Sequence, residues 1–583
     1  MNSVHPIVFE LSKLKESSKE AVADASSKNE DAFKLYLHIE RQVELDLKNI
    51  ILASANTSGS SLVLLCGNVG DGKSHLLSKL HQEPLIASCL GQFQMHNDAT
   101  ESFSPDQTCI DTLCHILEPF SDENLGKIDA KWILAINLGT LSNFLEERGD
   151  AFKKLRDFVD QQGVIDPEKF QLQDAFISGS YFQVVNFTNH HFYELTKAGV
   201  KPELFEKLFS KIVANDAKNP LYQAYQSLKK EEWTVNCPIV ANYEFLADFS
   251  NIKTLSRLLV ECILKEKVII SFRQILSFIY DLLIPYSLSG LSIEEHKKVV
   301  GQNSASARLD QHMINYIFEN PQLSRIFTIL NKLDPAIRRY ERLDEKATTI
   351  YTSLDPLYLF NADFENLPIF LKRNLGAELS VIESRFKTYL RLNYFSSPGS
   401  DLYKDDYFDL FAQALYYYNT KDAPGLREIN ELVKAAVLIW NGSTLEKDKI
   451  MFPNISKHSN YRLFRTLNPK PILPAISEKI AKDKLHQFLT EVKVSFFGTD
   501  AGKNVAFVNV DYSLYMLLQK VKQGYRPNKI DRSSFINFVS MVETLMLQDS
   551  NDDQIFVDEI NFGRSLDYQL RLGDYGDFEF SKI

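Results

Sequence analysis

A chain of 583 residues is too long for one hydrophobic core, so roughly two to four domains are expected. Its 44% hydrophobic and 24% charged residues mark an ordinary globular protein and exclude a disordered or fibrous one. A net charge of −11 argues against a chain that coats nucleic acid non-specifically, because neutralising phosphates in bulk needs surplus Lys and Arg; a local basic groove is still compatible with it.

The six cysteines, Cys66, Cys89, Cys109, Cys114, Cys237 and Cys262, form no CxxC pair, so neither a zinc site nor a disulfide framework is signalled. The first residues carry charges where a signal peptide needs an apolar stretch. No apolar run reaches the about 18 residues of a membrane span. These features predict a cytoplasmic protein.

Residues 1–55 read as a helical lead-in, with Phe33, Leu35, Tyr36, Ile39, Val43, Leu47 and Ile50 at helical spacing. A polar stretch, Asn56 to Ser61, hands over to the apolar run Leu62 to Leu65, a buried strand. Further short apolar runs follow at Phe93–His96, Trp132–Ile136 and Tyr181–Val185, with a fifth candidate strand at Pro238–Ala241. Strands alternating with helices over 56–250 predict an α/β domain, a parallel sheet with helices on both faces. Residues 251–345 read as helical throughout, including Phe272, Ile275, Leu276, Ile279, Leu282 and Leu283, and would form a helical lid. Residues 346–583 mix helices (Phe408–Tyr418, Glu431–Trp440) with strands such as Val505–Val510, a mixed α+β C-terminal domain.

Gly67-Asn68-Val69-Gly70-Asp71-Gly72-Lys73-Ser74 fits the phosphate-loop pattern GxxxxGK[ST] in full, with His75 directly after it. Glycines let the backbone curl into a nest of N–H donors, and the following helix aims its positive dipole end at the same point. Lys73 would bridge the β- and γ-phosphates of a nucleotide such as ATP, and Ser74 would ligate Mg²⁺. The motif follows a strand and precedes the apolar helical run Leu76-Leu77-Leu80, which is the context that gives it meaning. The expectation is a P-loop NTPase core of AAA+-like type.

Such enzymes usually carry an acid pair at the end of a later strand. The strand in that place ends on Asn137, which can orient a water but brings no charge to Mg²⁺. Asp98, at the end of the preceding strand, and Glu146 or Glu147 downstream are substitutes. Ile555–Glu559 resembles an acid-bearing strand of this kind, yet its distance along the chain makes it a decoy. Asn186, or Asn189, takes the place of a residue sensing the γ-phosphate, with a plain capping Asn as the alternative. Arg273, in Ser271–Leu276, resembles a lid arginine that reaches the nucleotide; the alternative is a solvated helix face. Lys520, Lys522, Arg526, Lys529 and Arg532 stand against one acid, Asp531, and form a candidate DNA-backbone contact. A solvated face is the other reading of that run.

Five stretches carry a resemblance: Glu10 to Lys19, Cys66 to Leu76, His96 to Ser102, Ala135 to Gly139, and Gly524 to Lys529. Together they resemble the DptF family, the F components of DNA phosphorothioation-dependent restriction systems, across nearly the whole chain. The resemblance implies a bacterial defence role. In such systems a modification module replaces a non-bridging phosphate oxygen of host DNA with sulfur. A restriction module, made of this component and partners termed G and H, attacks DNA lacking the mark. A nuclease centre of the PD-(D/E)xK type has no convincing instance in this chain, so the expected part is an ATPase that couples nucleotide binding or hydrolysis to attack on unmodified DNA, with a nucleotide-dependent scaffold or switch of little hydrolysis as the alternative.

Overall fold

The computed structural model describes residues 4–15, 32–97, 108–166, 169–170, 172, 175–337, 344–345, 348–349, 352, 367–376, 382–396, 405–442, 448–453, 460–497, 506–548, 554–559, 568–573 and 575–582. The chain forms two compact units. One comprises Met1–Glu194 with Lys201–Asp405, the other Leu195–Val200 with Asp406–Ile583.

The first unit holds four parallel strands, β1 (Ser61–Cys66), β2 (Gln94–His96), β3 (Lys131–Ile136) and β4 (Phe182–Asn186), in the spatial order β2-β3-β1-β4. They lie where the apolar runs predicted. Every residue of β1 is buried, which is why its sequence is continuously apolar. Leu62, Leu64 and Cys66 face one core, with Leu141 and Phe144 of the helix Leu138–Arg148 and Leu155 of the helix Lys153–Gln161. Val63 and Leu65 face the other, with Leu47 of the helix Gln42–Asn56, Leu76 and Leu80 of the helix Lys73–His81, and Leu90 of the helix Pro84–Leu90. Each such buried side chain stabilises the sandwich by about 1.5–3 kcal/mol.

The chain therefore leaves β1 toward one face and β3 toward the other. Where neighbouring connections diverge in this way, a crevice opens outside the carboxyl ends of the strands. Gly67 and Asn137 are the first residues beyond those two ends, and the Gly67 N–H donates to the Ile136 carbonyl (3.3 Å).

One expectation is corrected. Pro238–Ala241 is no strand but the first turn of the helix Pro238–Leu246, buried almost all round. Among its described residues the lead-in holds the helices Pro6–Ser12, Ala32–Leu37 and Gln42–Asn56, with His38 to Arg41 non-helical. A hairpin of β5 (His190–Thr196) and β6 (Gly199–Lys201), unanticipated, follows β4. Helices then run from Glu203–Val213 to Ile382–Ser396, among them Phe272–Leu283. Arg391 explains why this unit extends past 345. Buried on the helix Ile382–Ser396, it donates to Asp334 (3.1 and 2.7 Å), to Glu319 (2.6 Å) and to Asn315 (2.8 Å).

The second unit combines the helices Asp406–Asn419, Arg427–Ile439, Tyr512–Lys522, Lys529–Ser534 and Ile536–Gln548 with antiparallel sheets. Its strands are β7 (Lys449–Met451), β8 (Tyr461–Thr466), β9 (Lys484–Gln487), β10 (Val492–Phe496), β11 (Ala506–Val510), β12 (Ile555–Glu559), β13 (Tyr568–Leu572) and β14 (Phe578–Lys582). One sheet pairs β10 with β11; another runs β14-β13-β12-β8-β7. Among the described residues no helix is long and apolar enough to cross a membrane.

Candidate nucleotide-binding loop

The loop begins where β1 ends and closes into the helix Lys73–His81. Gly70 (φ +88°) and Gly72 (φ +92°) adopt the left-handed region that strains any residue with a Cβ. Gly70 is also closely approached: a Cβ there would stand 3.2 Å from Ser271 Oγ and 3.4 Å from Arg273 Cβ. Gly72 caps the helix, so its N-terminal N–H groups face the loop. Val69 is the exposed tip.

Within the loop, the Lys73 ammonium donates to the carbonyl oxygens of Gly67 and Asn68, each at 2.8 Å. The Asp71 carboxylate accepts from the Asn68 N–H (2.7 Å). Burial pushes the Asp71 carboxyl up from its usual range, against the opposing pull of that N–H, Lys73 and Arg41. Ser74 occupies the first helical turn and is partly exposed. His75 Nε2 lies 3.4 Å from His38 Nδ1, and His38 Nε2 lies 3.1 Å from Glu44.

Three neighbouring strand and helix ends meet the loop. Asn137, at the end of β3, caps the helix Leu138–Arg148, its side-chain oxygen accepting from the Thr140 N–H (2.7 Å). Asn186, at the end of β4, is level with Cys66 of β1. Its side chain accepts from the Thr188 N–H (3.1 Å) and hydroxyl (2.7 Å) and donates to the Val164 carbonyl (3.3 Å). Both asparagines thus serve as local caps. Arg273 opens the helix Phe272–Leu283, and its backbone N–H donates to the Gly70 carbonyl (3.3 Å), which sets the start of that helix beside the loop.

Asp98 lies outside the described residues. Glu146 and Glu147 sit more than two turns down the helix that Asn137 caps, about 13 Å from its start at 1.5 Å per residue. Nothing in the sequence pointed to Arg41, the residue just before the helix Gln42–Asn56. Its Nη2 donates to the Asp71 carbonyl (3.3 Å), and its guanidinium lies 5.7 Å from the Phe187 ring centroid and 5.4 Å from that of Phe272. A tertiary contact between segments thirty residues apart leaves no local motif to read.

In the second unit, Lys520, Lys522, Arg526 and Lys529 are exposed around the end of the helix Tyr512–Lys522. Arg532 turns inward instead, donating to Asn441 Oδ1 (3.2 Å) and the Trp440 carbonyl (3.4 Å).

No family model, curated protein or solved structure matches this chain significantly.

Proposed function

We propose that Gly67–Ser74 binds ATP with Mg²⁺, and that the chain is the P-loop, AAA+-like ATPase component of a DNA phosphorothioation-dependent restriction system. One observation carries the nucleotide reading. A glycine-rich turn with two left-handed glycines joins a central parallel strand to a helix N-terminus, at the crevice where connections diverge, with Lys73 folded over it. The N–H groups of the turn and the helix would cradle the β-phosphate. Lys73 would exchange its carbonyl partners for phosphate oxygens, and Ser74 would take a place in the Mg²⁺ shell. Arg273 would sense the γ-phosphate through the first turn of its helix, with Asn186 at the neighbouring strand end. The restriction role rests on the resemblance of the five quoted stretches. It carries with it the G and H partners and DNA, for which Lys520, Lys522, Arg526 and Lys529 supply an exposed cationic surface.

A specific feature favours a switch over a motor. Asn137 stands where an aspartate would hold the metal's water shell, and its oxygen is committed to the Thr140 N–H. Phosphoryl transfer depends on positioning and charge neutralisation, so this exchange slows chemistry more than binding. The test is steady-state hydrolysis of Mg-ATP by the isolated chain, with and without DNA and the partner components. Slow basal turnover is expected, and Asn137→Asp should raise it at least about tenfold, a barrier change of ~1.4 kcal/mol. Rapid turnover that ignores Asn137→Asp and is lost in Asp98→Asn would replace the switch with a motor.

A further inference from the structure

Among the described residues no carboxylate bonds directly to Arg41. Of the five donors of its guanidinium, the Asp71 carbonyl takes one among the described residues. The nearest acids, Asp71 and Glu44, act on it through space and not through a hydrogen bond. Both are already engaged: the Asp71 carboxylate holds the Asn68 N–H, and Glu44 is bonded to His38 (3.1 Å) and Lys48 (3.1 Å). Arg41 is half-buried, and desolvation lowers its pKa, with Asp71 and Glu44 opposing that change. A cation partly withdrawn from water and without an ion-pair partner is placed to meet an anion.

Its position says which anion. Nη2 is 3.4 Å from where a Cβ on Gly72 would be, at the turn leading into the helix Lys73–His81. Stacking beside Phe187 and Phe272 fixes the planar group there, from residues that follow β4 and open the Arg273 helix. We infer that Arg41 is a second cationic contact for the phosphates of the nucleotide, acting beside Lys73. This rests on the loop being a nucleotide site, and it deepens that reading by adding a residue outside the motif. The guanidinium fork matches phosphate oxygens and is always charged, so it suits this task better than a lysine would.

The experiment is calorimetric titration of the full chain with Mg-ATP, Mg-tripolyphosphate and adenosine, for the parent, Lys73→Ala, Arg41→Gln and Arg41→Lys. Arg41→Gln should weaken ATP and tripolyphosphate by a common factor of at least about ten, as expected for a lost charge-assisted contact. Adenosine should bind the variant as it binds the parent. Equal tripolyphosphate affinity in the parent and a folded Arg41→Gln would overturn the inference, as would a loss confined to ATP, which would move the contact to base or sugar. If Arg41→Gln does not fold, Arg41→Lys decides. Tripolyphosphate affinity within a few-fold of the parent supports a charge contact, and a loss as complete as in Lys73→Ala reduces Arg41 to a pin for the loop. A parent that binds neither phosphate ligand defeats the loop reading itself, a result distinct from every one above.

Discussion

β1 and β12 are both short apolar strands, and by their letters β12, which ends in Asp558-Glu559, looks more like part of an ATPase site than β3, which ends in Asn137. Their surroundings separate them. β1 is buried along its whole length between two parallel neighbours, and a glycine turn and a helix N-terminus follow it. β12 lies between two antiparallel partners, β8 and β13, in the second unit. In a parallel sheet all carboxyl ends open on one edge, where helix N-termini collect and backbone N–H groups converge. An antiparallel sheet alternates its ends and gathers no such edge. The difference teaches that residue type at a strand end acquires chemical meaning only through the direction of its neighbours.

The sharpest way to break this comparison is to spoil the turn while sparing the strand. Gly72→Val places a β-branched side chain at φ +92°. It should lose Mg-ATP binding altogether and lower stability by about 2 kcal/mol, the usual cost of such backbone strain. Denaturation curves and titration together check it. A folded variant that binds as the parent does would separate the site from the turn geometry.

Acid should act on the first unit in a calculable way. His312, buried between Phe245 and Phe370 with its Nδ1 accepting from the Ile314 N–H, has its pKa lowered from 6.5 to about 3 by desolvation. A depressed folded value means the unfolded chain takes the proton first. The stabilisation is therefore complete above about pH 6.5 and is lost as pH falls toward 3. Between pH 7 and pH 5 this amounts to about 2 kcal/mol. Thermal melts across that range should show the decline, and His312→Asn, which keeps a capping oxygen, should reduce it by this amount, leaving the share of His5, whose pKa burial likewise lowers to about 3. An unchanged pH slope in that variant would assign the acid sensitivity elsewhere.

Much of the parallel sheet was legible because burial on both faces writes continuous apolar runs, as in Leu62 to Leu65. The same signal misled at Pro238–Ala241. A helix buried almost all round has no polar stripe, so its period is hidden, and Pro at the first helical position was the cue that remained. The hairpin His190–Thr196 with Gly199–Lys201 was missed because its strands mix polar and apolar residues; Gly199 at φ +116° marks its turn. Around the candidate site, the strand–turn–helix placement of the loop and the helix start at Ser271 were readable, the first from a full motif and the second from a capping pattern. Arg41 was not readable, since its role arises from tertiary proximity to Asp71, Phe187 and Phe272.

A smaller effect probes the second unit. Replacing Lys520, Lys522, Arg526 and Lys529 with Gln should flatten the salt dependence of duplex DNA binding, removing a slope of roughly −3 to −4 in log K against log salt. Arg532 is left in place because it holds Asn441 and Trp440. Binding with the parent's slope would return these four cations to a solvated face.

The central claim is that nucleotide chemistry belongs to the turn after β1 and not to the acid-bearing end of β12. Calorimetric titration of the full chain with Mg-ATP tests it most directly, comparing the parent, Lys73→Ala and the Asp558→Asn, Glu559→Gln double variant. The account predicts a saturable site in the parent, a loss of ~1.5–3 kcal/mol in Lys73→Ala from the missing charge-assisted contact, and no change in the double variant. Unchanged affinity in a folded Lys73→Ala, or a loss confined to the double variant, would contradict it.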